Sequence, residues 1–326
     1  MKEDGVTLLI SVKRYNKEDE NTWNKFNSEC KNGLFMFDRK FMDYHSDRFR
    51  DHSLLFYDDD SLIALLPMNE NKNSLISHGG LTYGGFLTNS KMKQHTMNDC
   101  FQALIGHAKD YGIVKIYYKQ IPAIFHKQPA EEDRYSLFIN NASVEKIEPS
   151  TAINLHNPLK MPKGRKAQIS RARREGVEIV ELTDASDFQN FIDLENEVLL
   201  EYHGIKAVHS GDELVLLHSR FPEHIHLLGA IKDQKLIAGT LVFEYEHVVH
   251  TQYMAANKLA REIGALDLAI SHVIEKYRNN KSWLDFGISS EDGGRYLNQG
   301  LISQKEGFGG RTIVYQMWLI NILRRQ

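Results

Sequence analysis

Apolar and polar positions along the chain fall into two successive series of similar order. In the first, residues 6–13 (VTLLISVK) form an apolar run of strand length, and Trp23, Phe26, Asn27 and Cys30 recur at the spacing of one helix face. Residues 53–57 and 62–68 read as strands around the acidic tetrapeptide 58–61, whose short polar side chains tolerate turn dihedrals. A glycine-rich segment, SHGGLTYGG at 77–85, leads to a helix striped by Met97, Phe101, Leu104, Ile105 and Ala108, with Asn89 or Ser90 as its expected cap. A buried strand is expected at 113–118, and two closing strands at 135–139 and 152–155.

The second series begins after Asn157-Pro158, where the boundary is placed, giving domains 1–157 and 158–326. A basic helical run at 163–174 ends at Gly176, and 177–182 is a strand. Thr183 or Asp184 caps a helix with Phe188, Phe191, Ile192, Val198 and Leu199 inward, while Ser210 with Glu213 forms a capping box for another. Three strands follow at 225–231, 236–245 and 248–254, joined by tight polar bends. A helix carrying Leu266, Ile270, Val273, Ile274 and Tyr277, a strand at 283–286, a loop at 287–300 and a last strand at 312–318 complete the chain. This order predicts an α+β fold: two tandem domains, each a mixed sheet with packed helices, and a small-molecule site in the cleft between them.

Composition narrows the function classes. The 326 residues are 42% hydrophobic and 25% charged, and Lys+Arg 40 against Asp+Glu 43 leaves a formal charge of −3. No global field exists to hold a polyanion. Two cysteines without a CxxC pair argue for a reducing, cytoplasmic setting and against a thiolate metal cage. No secretory signal pattern is present, and no 18 apolar residues follow one another, so no membrane span is expected. The basic run Lys160, Lys163, Arg165, Lys166, Arg171, Arg173 and Arg174 is either a phosphate-binding strip or a solvated helix face; it lacks the interleaved aromatics of a base-stacking platform. His224, His226, His247 and His250 carry no recognised ligand spacing, so no metal is expected. GxGxxG, Walker A and GxSxG patterns are missing as well.

Two stretches carry a family resemblance: LDFGIS at 284–289 and KEGFG at 305–309. They resemble the FDFG-x-S and K-x-x-F/W-G motifs of the FemAB-like branch of the GNAT acyltransferase superfamily, and SHGGLTYGG with IPAIFHKQPAEEDRY at 121–135 is similar to features of its small bacterial members. The resemblance implies tandem GNAT-like domains, acceptor side first and acyl-donor side second. Acetyl-CoA or another acyl-CoA is the implied co-substrate, and an amine on a small or sugar-linked molecule the implied acceptor. Its phosphate loop would correspond to REIGAL at 261–266, which assigns Arg261, Gly264 and Ala265 to the donor pyrophosphate; Leu266 departs from the small residue usual there. Because FemAB-like relatives include enzymes that use aminoacyl-tRNA, tRNA-dependent amide formation is the alternative, with a catalytically silent binding module a third reading.

Within that frame Asp285 ends a strand of Trp, Leu and Phe. Its carboxylate suits a general base or an ammonium-binding group, or else a turn-holding structural role. Tyr253 is the expected acid for the departing thiolate. Lys305 is expected to face inward, on an oxyanion or a phosphate. Acceptor contacts are assigned to His78 and Tyr83 in the first domain and to Arg295 and Asn298 on the second domain's polar loop.

Overall fold

The computed structural model describes residues 10–323. Its strands are β1 (Ile10–Arg14), β2 (Arg50–Asp51), β3 (Leu54–Asp58), β4 (Ser61–Leu66), β5 (Asn69–Asn71), β6 (Ser74–Ile76), β7 (Leu87–Thr88), β8 (Lys115–Lys119), β9 (Ser143–Asn154), β10 (Glu178–Leu182), β11 (Ile225–Lys232), β12 (Lys235–Glu244), β13 (Val248–Ala256), β14 (Trp283–Ile288), β15 (Ser290–Glu291), β16 (Tyr296–Leu297) and β17 (Arg311–Asn321). Its α-helices are α1 (Glu20–Glu29), α2 (Arg39–Met42), α3 (Gln94–Asp110), α4 (Glu132–Ile139), α5 (Lys163–Arg174), α6 (Ala185–His203), α7 (Gly211–Arg220), α8 (Lys258–Ile263), α9 (Ala265–Tyr277) and α10 (Gln299–Glu306). The chain divides into two compact units, residues 1–147 with 315–326, and residues 148–314.

In the first unit β1, β3, β4 and β7 pair antiparallel, with Asp59 at φ 50 in the turn expected at 58–61. Strand β8 pairs antiparallel with β17 and parallel with β6, which continues to β5 and β2. The predicted stripe of α3 is the core: Met97, Phe101, Leu104, Ile105 and Ala108 are all buried, against Leu54, Phe56, Leu66, Ile116 and Tyr118. Residues 6–9 of the first expected strand lie outside the described residues.

Two expectations for this unit are corrected. Residues 135–139 form the end of helix α4, because Glu132 and Asp133 complement its N-terminal dipole and its buried face is Asp133, Ser136 and Leu137 at helical spacing. The apolar Tyr135, Phe138 and Ile139, read as strand, point to solvent. Neither Asn89 nor Ser90 caps α3: Lys93 holds the N-cap position, and the Asn89 side chain instead accepts from Lys91 N in a local turn.

The second unit is built on β10-β11-β12-β13-β14 followed by β9, antiparallel except for the parallel β13–β14 pair. Helix α9 packs one face through Ile270, Val273, Ile274 and Tyr277 onto Leu228, Val242, Val249, Leu284 and Phe286. Helix α6, capped by Asp184 as expected, packs against β12 and β13. The Ser210–Glu213 capping box and the Gly176 turn at φ 73 also form. The expected loop at 287–300 is corrected. It holds the small β15–β16 hairpin and the start of α10, which was missed because its sequence, QGLISQKE, carries almost no apolar stripe.

Candidate active site

The candidate site forms where β13 and β14 part. Their parallel pairing runs only through Val248↔Trp283, Val249↔Leu284 and His250↔Asp285, although β13 continues to Ala256 and β14 to Ile288. On the other edge of β13 the register to β12 slips between Leu241↔Tyr253 and Val242↔Thr251, so Gln252 is an extra, bulged residue. A bulge bends its strand and re-aims side chains, which is why bulges recur beside sites. Sheet faces follow from the register. A Cβ on Gly239 would lie 3.0 Å from the Phe191 ring of α6, so Gly239, Leu241 and Phe243 face α6, and their partners Ala255, Tyr253 and His250 share that face.

Asp285 is fully buried, and both carboxylate oxygens are engaged: Ser150 Oγ donates to Oδ1 at 2.6 Å, and His250 Nδ1 lies 2.7 Å from Oδ2. The carboxylate thereby selects the His250 tautomer with its proton on Nδ1. His250 is a candidate site residue that the sequence pattern did not single out, since it counted there only among possible metal ligands. A polar ring in the run VVHTQYM, otherwise rich in apolar residues, was the available signal.

Lys305 lies on α10, 3% exposed, and its Nζ donates to the carbonyls of Gly287 at 3.0 Å and Ile288 at 2.6 Å. It clamps the end of β14 just past Asp285. Burial pushes its ammonium down to about 8, against the opposing pull of the Asp285 charge. Tyr253 OH lies 2.5 Å from Nδ1 of the buried His209.

The residues assigned to the donor phosphate are held by the protein itself. Arg261 donates to Ala256 O at 2.7 Å and pairs with Glu201 at 3.7 Å. Gly264, at φ 80, joins α8 to α9, and a Cβ there would lie 2.7 Å from Gln168 O, so its lack of a side chain serves close packing on α5. Ala265 is buried at the start of α9. In the basic run, Arg165 bonds Asp267 and stacks 4.3 Å over Phe308, a structural use.

The four acceptor residues fall in different units. His78 (φ 53, Nδ1 without a hydrogen-bond partner) and Tyr83 (OH 3.1 Å from Tyr315 OH) are interior residues of the first unit. Arg295 is exposed within the β15–β16 turn of the second. Asn298 caps α10 by accepting from Leu301 N at 2.9 Å, and it donates to Glu291 at 2.7 Å. Among the described residues no group of three or more His, Cys, Asp or Glu is arranged to hold a metal ion, and no helix is long and apolar enough to cross a membrane.

Comparison with known proteins agrees with this architecture. Residues 163–296 match the family described as an acetyltransferase (GNAT) domain. No curated protein matches the chain. Among solved structures, FemX superposes with a TM-score of 0.67 at 9% identity, covering 95% of this chain and 97% of that one. L-PGS from Bacillus licheniformis gives 0.63 at 15% identity, covering 100% and 95%. A tandem GNAT protein from the clavulanic acid biosynthesis pathway gives 0.53 at 10% identity, covering 97% and 100%. The chain has a tandem GNAT-like, FemAB-like α+β fold whose second unit carries the GNAT domain.

Proposed function

We propose that the protein transfers an acyl group, acetyl in the simplest case, from acyl-CoA to an amine on a small or sugar-linked acceptor. The observation that carries this reading is the parting of β13 from β14 after His250 and Asp285. Beyond that point no strand among the described residues pairs with β13 on its β14 side, so its main-chain groups are available to the amides and thioester carbonyl of a pantetheine arm. At the fork, Asp285 orients His250, whose Nε2 takes the proton that an ammonium must lose before attack; Asp285 acts as base through that ring. Tyr253, poised by His209, donates a proton to the leaving thiolate. Lys305 fixes the carbonyls of Gly287 and Ile288 and so the position of Asp285, and Arg295 is offered to an anionic group of the acceptor. The first domain serves the acceptor side and the second the donor side.

The second reading, aminoacyl-tRNA as donor, draws support from one feature: helix α8 and the Gly264–Gln168 contact occupy the segment expected to take a pyrophosphate. Calorimetry with acetyl-CoA separates the readings. Binding that weakens in Arg261→Ala supports acyl-CoA at this site. No heat at millimolar acetyl-CoA overturns it, and a competing aminoacyl-tRNA or a bare acceptor titration then decides between the alternatives.

A further inference from the structure

Helix α6 buries an apolar stripe of Phe188, Phe191 and Ile192 against the sheet, and the next position of that stripe is Glu195. Its residue is only 6% exposed, and its Oε2 has no hydrogen-bond partner. A buried carboxyl is ordinarily paired, since an unpaired charge in the interior is costly. Glu195 is therefore an exception that needs a ligand or a cost.

Its surroundings indicate a ligand. The face of β13 that α6 covers is the face bearing His250 and Tyr253. The connection from α6 to α7 is tied at one end to α6, where Asn196 Oδ1, beside Glu195, accepts from Ala207 N at 2.9 Å. At its other end it is tied to β13, through His209 Nδ1 and Tyr253 OH at 2.5 Å. The segment thus bridges α6 and the strand of the fork. The bulged Gln252, also on β13, has a side-chain oxygen with no partner.

We infer that Glu195 receives the ammonium group of the acceptor, so that the acceptor is a primary alkylammonium held between α6 and β13, with Gln252 Oε1 as a second acceptor for its N–H groups. The inference rests on the acyl-transfer reading and revises one part of it: the nucleophilic amine of the acceptor sits on the second unit, on the sheet face of His250, and the first unit takes only the rest of the acceptor. Burial pushes the Glu195 carboxyl up to about 7, and an adjacent ammonium would draw it down again.

The probe is n-butylammonium chloride, with n-butanol as its neutral counterpart. In protein labelled with 13C at the glutamate carboxyls, the Glu195 resonance is identified by its loss in Glu195→Gln. Its titration midpoint is expected to fall by at least one pH unit in 100 mM butylammonium and to stay in place with butanol. A midpoint unmoved by butylammonium overturns the inference. The wild-type titration carries the test even if the variant folds poorly, because replacing the resonance by Glu195→Asp identifies it equally well. Acetyl-CoA calorimetry is run alongside: acetyl-CoA binding with no butylammonium response sinks only this inference, whereas a butylammonium response without acetyl-CoA binding sinks only the donor assignment.

Discussion

Each unit contains a buried histidine held through Nδ1 by a carboxylate, yet the two pairs are built for different ends. In the first unit His52 Nδ1 lies 2.6 Å from Glu70, which is also bridged by Arg14 at 3.0 Å and Arg50 at 2.9 Å, and the other ring nitrogen of His52 meets His107 Nε2 at 2.8 Å. Both imidazole nitrogens are engaged and the carboxylate is neutralised by two guanidinium groups, so the cluster is closed. In the second unit the Asp285–His250 pair sits where two strands separate, with Ser150 on the carboxylate and the Lys305 clamp just beyond. The same side-chain pair is a structural staple when its neighbours complete it and a candidate proton relay when the sheet opens beside it. Burial works to raise the Glu70 carboxyl, but the His52 bond and Arg14 outweigh it and hold it below the usual range.

The contrast is broken most sharply by removing the two carboxylates. Asp285→Asn should lower kcat/KM by about 10² to 10⁴, the span of general acid–base catalysis, with acetyl-CoA affinity retained. Glu70→Gln should leave kcat/KM of the folded enzyme unchanged and cost about 3 kcal/mol of stability, because it strands His52 and two arginines. Steady-state kinetics beside urea melts decide the matter, and equal kinetic losses in both variants would erase the distinction.

The pH dependence of stability sharpens it further, since the units respond in opposite senses. Burial and the neighbouring His52 push His107 down to about 4, so between about 6.5 and 4 the unfolded chain binds the extra proton and stability falls as pH falls. Glu195 is pushed up to about 7 by burial; between about 4.5 and 7 the folded chain holds the extra proton, and stability falls as pH rises. Glu195→Gln should therefore stabilise at pH 8 by up to about 3 kcal/mol and change little at pH 4, whereas His107→Gln should flatten the acid limb. Denaturant melts of the two variants from pH 4 to 8 measure both slopes.

The smallest expected effect concerns Gly264. An alanine there would meet Gln168 O and hold a left-handed backbone, costing about 1 to 3 kcal/mol. If acetyl-CoA affinity falls while the melt is unchanged, the glycine serves the ligand and not the α5 contact.

Much of the fold was legible because it is written in local periodicity. The stripes of α3, α6 and α9, the meander β11–β13, the cap at Asp184, the capping box at Ser210 and the turns at Asp59 and Gly176 each depend on residues within a few positions of one another. Where local pattern was weak or misleading the reading failed: α4 turns its aromatic side chains to solvent, and α10 has almost no stripe. The site was legible only in part. Asp285 stood out as a charge at the end of an apolar strand, and Lys305 as part of a motif, both visible in one dimension. That Asp285 meets His250 from 35 positions away and Ser150 from 135, that Lys305 is occupied by two carbonyls, and that Glu195 is buried without a partner were decided by sheet register and helix packing. Hydrophobic spacing fixes which face of an element turns inward; only the packed sheet determines which polar groups on those inward faces come within 3 Å of one another, and that proximity sets their protonation and their chemistry.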